Sequence, residues 1–274
     1  MTEWRFIDSG PCAASYNMAV DEAIAISVRN GSSPPTLRVY GWDRPSVSLG
    51  SFQKISDIDV GFCAKTNVPI VRRPTGGRAI LHDDELTYSF SSRSEGAFSG
   101  GLLDSYRQLS AAFKSAIETL GLHLAVKTER ESGRNLARSP LCFKSTSYGE
   151  ITFKGKKLIG SAQKRWRDGF LQQGSIPYTV DGDRAKRVFA LESPVDLESS
   201  VVGLKEHLDN LEPEKIKKAI AHAFEGAFQT RFSLSSLSPE EILLARELQT
   251  LKYLSQDWTY QRQGLTRLQP HLPL

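Results

Sequence analysis

Residues 72–82 read RRPTGGRAILH, following the apolar run VPIV at 68–71 and ending with a second one, AIL, at 79–81. The β-prone residues on both sides predict two strands joined by this loop. Its glycine pair lets backbone N–H groups approach a ligand closely, and its three arginines supply fixed positive charge. The loop therefore suits carboxylate or phosphate oxygens. A tight strand connection with solvated arginines explains the same residues equally well.

The bulk composition indicates an ordinary globular protein. The chain has 274 residues, 39% of them hydrophobic and 24% charged, with a net charge of +4. This length predicts one large domain or two small ones. The sequence shows no dense basic block with interleaved aromatic residues, no apolar run of the ~18 residues a membrane helix needs, and no signal-like N-terminus. We therefore expect a cytoplasmic monomer that binds neither nucleic acid nor membrane.

The cysteines and histidines are scattered. Cys12, Cys63 and Cys142 are odd in number and form no Cys-x-x-Cys pair, which argues against a disulfide framework and against structural zinc. The five histidines are spread in the same way. We predict no protein-bound metal.

Periodicity predicts a strand-rich first part and a helical end. The alternating apolar segments predict strands at 4–7, 36–40, 46–51, 86–90, 122–126, 148–153, 157–163 and 169–177, with hairpins at 36–51 and 148–163. Apolar residues at steps of three or four predict helices at 15–28, 55–65, 103–120, 212–228 and 239–254, the last with Ser238 as its N-cap. This order fits an α+β domain with a short helical tail rather than a second core.

Cys142 is the first candidate for chemistry, because it follows a charged loop and lies outside any apolar stripe. The basic stretch 154–157 comes soon after it, and a neighbouring ammonium favours thiolate over thiol. A buried, inert cysteine is the alternative, and it is the one expected for Cys63. Lys157 opens a run of small residues where a ligand can reach the backbone, although a solvated strand lysine fits too. His82 beside Asp83 suggests a Cys/His pair, but no third orienting residue is identifiable.

Six stretches together resemble the lipoate/biotin protein ligase superfamily, and more closely its M-type octanoyltransferase branch. They cover the first 180 residues in order: WRFID at 4–8, YNMAVDEA at 16–23, RRPTGGRAILHD at 72–83, CF at 142–143, KLIGSAQ at 157–163 and QGSIP at 173–177.

The resemblance implies a mixed, largely antiparallel sheet flanked by helices, with a catalytic domain over residues 1–230 and a short helical extension over 231–274. It implies that Cys142 is the nucleophile that carries the acyl group as a thioester, and that Lys157 lowers the pKa of this cysteine and handles protons. The residues implied for binding the acyl substrate are Arg72, Arg73, Thr75, Gly76, Gly77, Arg78, His82, Gly160, Ser161 and Ala162.

On this interpretation the donor is octanoyl-acyl carrier protein, the acceptor is a lysine of a lipoyl domain such as the glycine cleavage H protein, and no cofactor is needed. The alternative is a lipoate ligase that uses ATP and Mg²⁺, with the loop gripping an acyl-adenylate and Lys157 contacting its carbonyl. Ligases of this family usually have a third glycine where this chain has Arg78, and a bulky side chain there would crowd a phosphate. A third hypothesis is a non-catalytic lipoate-binding relative. The presence of Cys142 favours the transferase.

Overall fold

The computed structural model describes residues 2–126, 150–189 and 200–262. The strands in these ranges are β1 (Thr2–Cys12), β2 (Thr36–Trp42), β3 (Ser46–Leu49), β4 (Ile70–Arg72), β5 (Ile80–His82), β6 (Glu85–Arg93), β7 (Ala125–Val126), β8 (Ile151–Phe153), β9 (Lys156–Arg165), β10 (Gly169–Pro177) and β11 (Thr230–Leu234). The α-helices are α1 (Ala14–Arg29), α2 (Val60–Lys65), α3 (Leu102–Glu118), α4 (Gly182–Val188), α5 (Pro213–Phe228) and α6 (Pro239–Leu248).

The larger sheet, as far as the described residues show it, runs in the order β11-β1-β2-β6-β10-β9-β8-β7. The β11–β1 and β1–β2 pairs are parallel, and the remaining pairs are antiparallel. The predicted mixed, largely antiparallel sheet flanked by helices is confirmed. The predicted hairpin at 148–163 is also confirmed over its described residues, from 150 on: Lys154 and Gly155 take positive φ angles of 49° and 80°, as a tight turn between antiparallel strands requires.

Helices cover both faces of this sheet. On one face α3 and α5 bury the apolar stripes that their sequences predict, around residues such as Phe113 and Phe224. On the other face α1 and α6 pack through a second apolar cluster that includes Met18 and Leu248. The predicted N-cap is confirmed, because the Ser238 hydroxyl accepts a hydrogen bond from a backbone N–H of α6. No helix in the described ranges has the length and apolar character that crossing a membrane requires.

The predicted hairpin at 36–51 is wrong. β2 is paired on both sides within the larger sheet, by β1 and β6, so it has no free edge for β3. β3 instead forms a smaller sheet in which it pairs parallel with β4 and antiparallel with β5. As predicted, loop 72–82 joins two strands, β4 and β5. These strands do not pair with each other but lie on either side of β3. The loop therefore crosses over the end of β3.

The region after residue 230 contains a strand that the sequence patterns missed. β11 pairs with β1 in the register Thr2↔Thr230. Arg5 of β1 also forms a partly buried ion pair with Glu241 of α6, with an N–O distance of 2.6 Å. The predicted helical extension thus begins with an edge strand of the main sheet, and its described part packs against the N-terminal strand.

Candidate active site

A small cavity lies where α1, the smaller sheet and the middle of the larger sheet meet. Its volume of ≈ 20 Å³ gives room for about one water molecule. Small residues on β9 and β10 form one wall, and aromatic and polar side chains form the others. The lining residues are Met18, Tyr40, Trp42, Ser48, Arg73, Ile80, His82, Thr87, Gly160, Ser161, Ala162, Gln173 and Gly174. Five of the predicted site residues are therefore brought together here: Arg73, His82, Gly160, Ser161 and Ala162.

His82 is held at both ring nitrogens. Nδ1 lies 2.7 Å from Glu85 Oε1, and Nε2 lies 2.7 Å from Ser48 Oγ. Burial alone would raise the pKa of Glu85, but His82 and the hydrogen bonds around this carboxylate outweigh burial and lower it. His82 Nδ1–H donates a hydrogen bond to the Glu85 carboxylate, and Nε2 shares a second hydrogen bond with the Ser48 hydroxyl. The ring also stacks on Trp42 with centroids 4.0 Å apart.

Glu85 is the orienting residue that could not be identified from the sequence. It lies three positions after His82, across the tight turn between β5 and β6. The pattern His-x-x-Glu at a strand–turn–strand junction was the available signal. Ser48 carried no signal of its own, because its contact with His82 depends on the pairing of β3 with β5.

Arg73 lines the cavity and at the same time fixes its own loop. Its guanidinium donates to the carbonyls of Gly76 and Arg78, both at 2.7 Å, and to the Ser48 carbonyl at 2.9 Å. The side chain is only 3% exposed. These bonds hold the Gly76–Arg78 turn against the end of β3, whereas the half-buried Arg78 side chain is not part of the cavity wall.

Gly77 takes a φ of 85°, a conformation that favours glycine. Its carbonyl oxygen would lie 1.8 Å from a Cβ placed on Gly50. Gly50 therefore permits the loop to touch the backbone after β3, and its role was not visible from the sequence.

Arg72 is placed differently from its neighbour. Its fully buried guanidinium donates to the carbonyls of Gly50, Gln53, Trp258 and Thr259 at distances of 2.7–3.1 Å. Burial lowers the pKa of Arg72 to about 10, with Arg262 and Arg73 adding to the effect, which still leaves the group charged at neutral pH. This geometry favours a structural role over the predicted contact with substrate.

Thr75 is connected to the core by a chain of hydrogen bonds rather than by contact with the cavity. Its hydroxyl donates to Gln173 Oε1 at 2.8 Å, and Gln173 Nε2 donates to Asp21 Oδ2 at 2.7 Å. Asp21 is fully buried and pairs with Arg38 at 2.7 Å. Since a carboxylate only accepts, Asp21 fixes which way the Gln173 amide points. Asp21 and Gln173 lie within the stretches that resemble the superfamily, at 16–23 and 173–177, but neither was predicted as a site residue.

Ser161 and Gly174 shape the wall made by β9 and β10. The Ser161 hydroxyl lies 2.6 Å from the Tyr88 hydroxyl, and the Ser161 carbonyl accepts from Tyr106. A Cβ on Gly174 would lie 2.3 Å from the Tyr88 ring, so this glycine lets the ring fill the space beneath the strand. The wall is thus set by aromatic hydroxyls behind small residues.

Lys157 is fully buried and forms an ion pair with Glu150, a residue that the sequence patterns did not single out. It lies at the start of β9, three residues before Gly160, and is not part of the cavity wall. Cys142 lies outside the described residues. Cys63 is buried as predicted, and burial, with Asp59 nearby, raises the pKa of its thiol to about 11. Among the described residues no three His, Cys, Asp or Glu side chains are grouped to hold a metal ion.

Comparison with known proteins places these features in a family. The family model of the lipoyl protein ligase A/B catalytic domain matches residues 13–225. The octanoyltransferase LipM of Kyrpidia tusciae is 36% identical over 275 residues, which cover 96% of this chain and 100% of that protein. LipM of Moorella thermoacetica is 37% identical over 269 residues, covering 94% and 98%. Among solved structures, a putative lipoate protein ligase from T. acidophilum with bound lipoic acid shares the fold, with a TM-score of 0.79 at 24% identity, over 95% of this chain and all of that one.

Proposed function

Because this chain belongs to the lipoyl protein ligase A/B catalytic domain family, we propose that it is an octanoyltransferase of lipoate biosynthesis. It transfers an octanoyl group from octanoyl-acyl carrier protein to a lysine of a lipoyl-domain protein. The observation that carries this proposal is the similarity of nearly the whole chain to two octanoyltransferases, at 36 and 37% identity. The acceptor is a lipoyl-domain protein, and the glycine cleavage H protein is our specific proposal.

The reaction has two acyl transfers with Cys142 between them. In the first, the Cys142 thiolate attacks the carbonyl carbon of the donor thioester, and the carrier leaves as a thiolate that takes up a proton. In the second, the amine of the acceptor lysine attacks the new thioester. An amide bond forms, the bond to Cys142 sulfur breaks, and the amine gives up one proton as the cysteine thiolate is restored.

Lys157 is proposed to favour the Cys142 thiolate and to exchange protons with the reacting groups. Its ion pair with Glu150 fixes the ammonium in a buried position. A positive charge fixed beside a thiol favours its thiolate. We propose that no cofactor takes part and that ATP and Mg²⁺ are not required.

The acyl chain is proposed to occupy the cavity between α1 and β9–β10. Its lining supplies apolar side chains and the small residues Gly160, Ala162 and Gly174. An eight-carbon chain exceeds ≈ 20 Å³, so binding has to move lining side chains. Met18 is the suited one, because an unbranched thioether changes rotamer with little strain.

Intact-mass measurement after incubation with octanoyl-acyl carrier protein tests this function. We expect an octanoyl adduct on wild-type protein and on Cys63→Ala, whose thiol is buried, and no adduct on Cys142→Ala. Transfer from the adduct to apo H protein should proceed without ATP. A protein that forms no adduct, and that modifies the acceptor only when ATP and free acid are added, would instead be a ligase.

A further inference from the structure

The cavity proposed to hold the acyl chain, the acyl cavity, has a near end and a far end relative to Lys157. Lys157 lies at the start of β9, and Gly160 and Ala162, which line the cavity, follow it along the same strand. Ala162 pairs with Gln173 of β10, so Gln173 is level with the end that is farther from Lys157. Because Lys157 is proposed to act where the acyl carbonyl reacts, the methyl end of the chain points toward Gln173.

Met18 of α1 closes this far end. Its side chain lines the cavity and is only 2% exposed, and its sulfur accepts from Gln173 Nε2 at 3.4 Å. The wall made by β9 and β10 offers no room on its other side, because the Tyr88 ring fills the space beneath Gly174 and the Tyr88 hydroxyl is bonded to that of Ser161. A chain that extends farther therefore has to enter the volume that Met18 occupies.

A polar wall beside Met18 limits how far a chain can reach. Its centre is the carboxylate of Asp21, one turn further along α1, which accepts hydrogen bonds at 2.7–2.8 Å from Arg38, Tyr40, Ser89 and Gln173. All of these side chains are buried. Methylene groups can replace none of these donors, and separating a buried ion pair such as Asp21–Arg38 is strongly destabilising. An acyl chain can thus displace Met18 but not the polar wall.

Building on the proposed function, we propose that Met18 sets the upper limit on acyl chain length and makes the protein selective against chains longer than octanoyl. Its unbranched side chain can turn aside to admit the end of an octanoyl chain. The other large side chains at this end, Tyr40 and Trp42, are held by hydrogen bonds to Asp21 and Thr87 at 2.8 and 2.7 Å. Further methylene groups would need the volume that the displaced Met18 still fills.

The limit is measured as the rate of acyl-enzyme formation, followed by intact mass, with acyl carrier proteins that bear hexanoyl, octanoyl, decanoyl or dodecanoyl thioesters. Met18→Ala removes the side chain beyond Cβ and frees room for about two methylene groups. Met18→Ile keeps a bulky side chain but restricts its rotation, because isoleucine is branched at Cβ. Val20→Ala is the matched control, since Val20 is fully buried on the same helix and does not line the cavity. The hexanoyl rate reports whether each variant remains folded and reactive.

We expect wild-type protein to react with the decanoyl donor about tenfold more slowly than with the octanoyl donor, and Met18→Ala to raise this rate ratio about tenfold, the effect of burying two more methylene groups. Met18→Ile should slow the octanoyl reaction more than the hexanoyl reaction, and Val20→Ala should keep the wild-type profile.

Three results would overturn the proposal: equal octanoyl and decanoyl rates in wild-type protein, an unchanged ratio in Met18→Ala, or the same change of ratio in Val20→Ala. Equal effects of Met18→Ile on the hexanoyl and octanoyl reactions would also count against it. Absence of acyl-enzyme with every donor in wild-type protein would refute the proposed function instead.

Discussion

Replacing Arg72 by methionine should destabilise the fold far more than it impairs acyl-enzyme formation. The side chain is fully buried, and its guanidinium donates to four backbone carbonyls, at Gly50, Gln53, Trp258 and Thr259. Methionine keeps the volume but removes every donor. Losing the partner of a buried polar group costs ~1–3 kcal/mol, and the Gly50 carbonyl also accepts from a backbone N–H, so the lower end applies. Four carbonyls at ~1 kcal/mol each give a loss of about 4 kcal/mol.

Urea unfolding followed by tryptophan fluorescence measures this loss at pH 7. Arg72→Lys should recover less than half of it, because a single ammonium cannot reach carbonyls on both sides. Arg44→Met is the control, since Arg44 is half-exposed and its contact with Asp43, at 3.6 Å, should contribute less than ~0.5 kcal/mol. A loss below ~1 kcal/mol for Arg72→Met would refute the reasoning. So would loss of acyl-enzyme formation in a variant of unchanged stability, which would place the guanidinium at the substrate.

Three further perturbations test the walls of the acyl cavity. Gly50→Ala places a Cβ 1.8 Å from the Gly77 carbonyl oxygen, so the loop must move. Octanoyl transfer should then fall at least tenfold in a steady-state assay. An unchanged rate would contradict the backbone contact. The pKa of Glu85 is lowered from its ordinary value of 4.5, so the ionised carboxylate stabilises the fold above pH ~4.5. This contribution to stability is lost as the pH falls through the lowered pKa. The urea midpoint of Glu85→Gln should therefore lie below that of wild type at pH 7 and approach it in acid. Asp21→Asn lets the Gln173 amide flip, and we expect KM for the donor to rise in initial-rate kinetics, with no change arguing against a fixed orientation.

The sequence predicted the elements that have strong local signals. The stripe on α3, the cap at Ser238 and the turn at Lys154 and Gly155 each depend on residues within a few positions of one another. The loop between two strands was likewise predicted from its glycines and flanking runs. The family resemblance then implied the mixed sheet and singled out Arg73 and His82, which both line the cavity.

The pairing of strands that are distant in sequence could not be predicted from local patterns. Residues 36–42 and 46–49 look like a hairpin, yet both edges of β2 are taken by strands whose positions no local pattern reveals. The role of Gly50 depends on a loop that returns from residue 77, and the difference between Arg72 and Arg73 depends on what each side chain meets. Two adjacent arginines have the same local sequence context. Arg72 nevertheless donates to the carbonyls of residues 258 and 259, whereas Arg73 lines the cavity.

The clamp made by Arg72 also sets an order of events during synthesis. The arginine and the carbonyl of Thr259 are separated by 187 residues. At ~5–20 residues per second, a ribosome needs about 10–40 s to make that intervening chain. During this interval the nascent chain contains Arg72 but not the carbonyls of residues 258 and 259. For most of the same interval β1 also lacks its partner strand β11. The edge of the larger sheet and the support of the loop are therefore completed only after residues 230–259 have been synthesised.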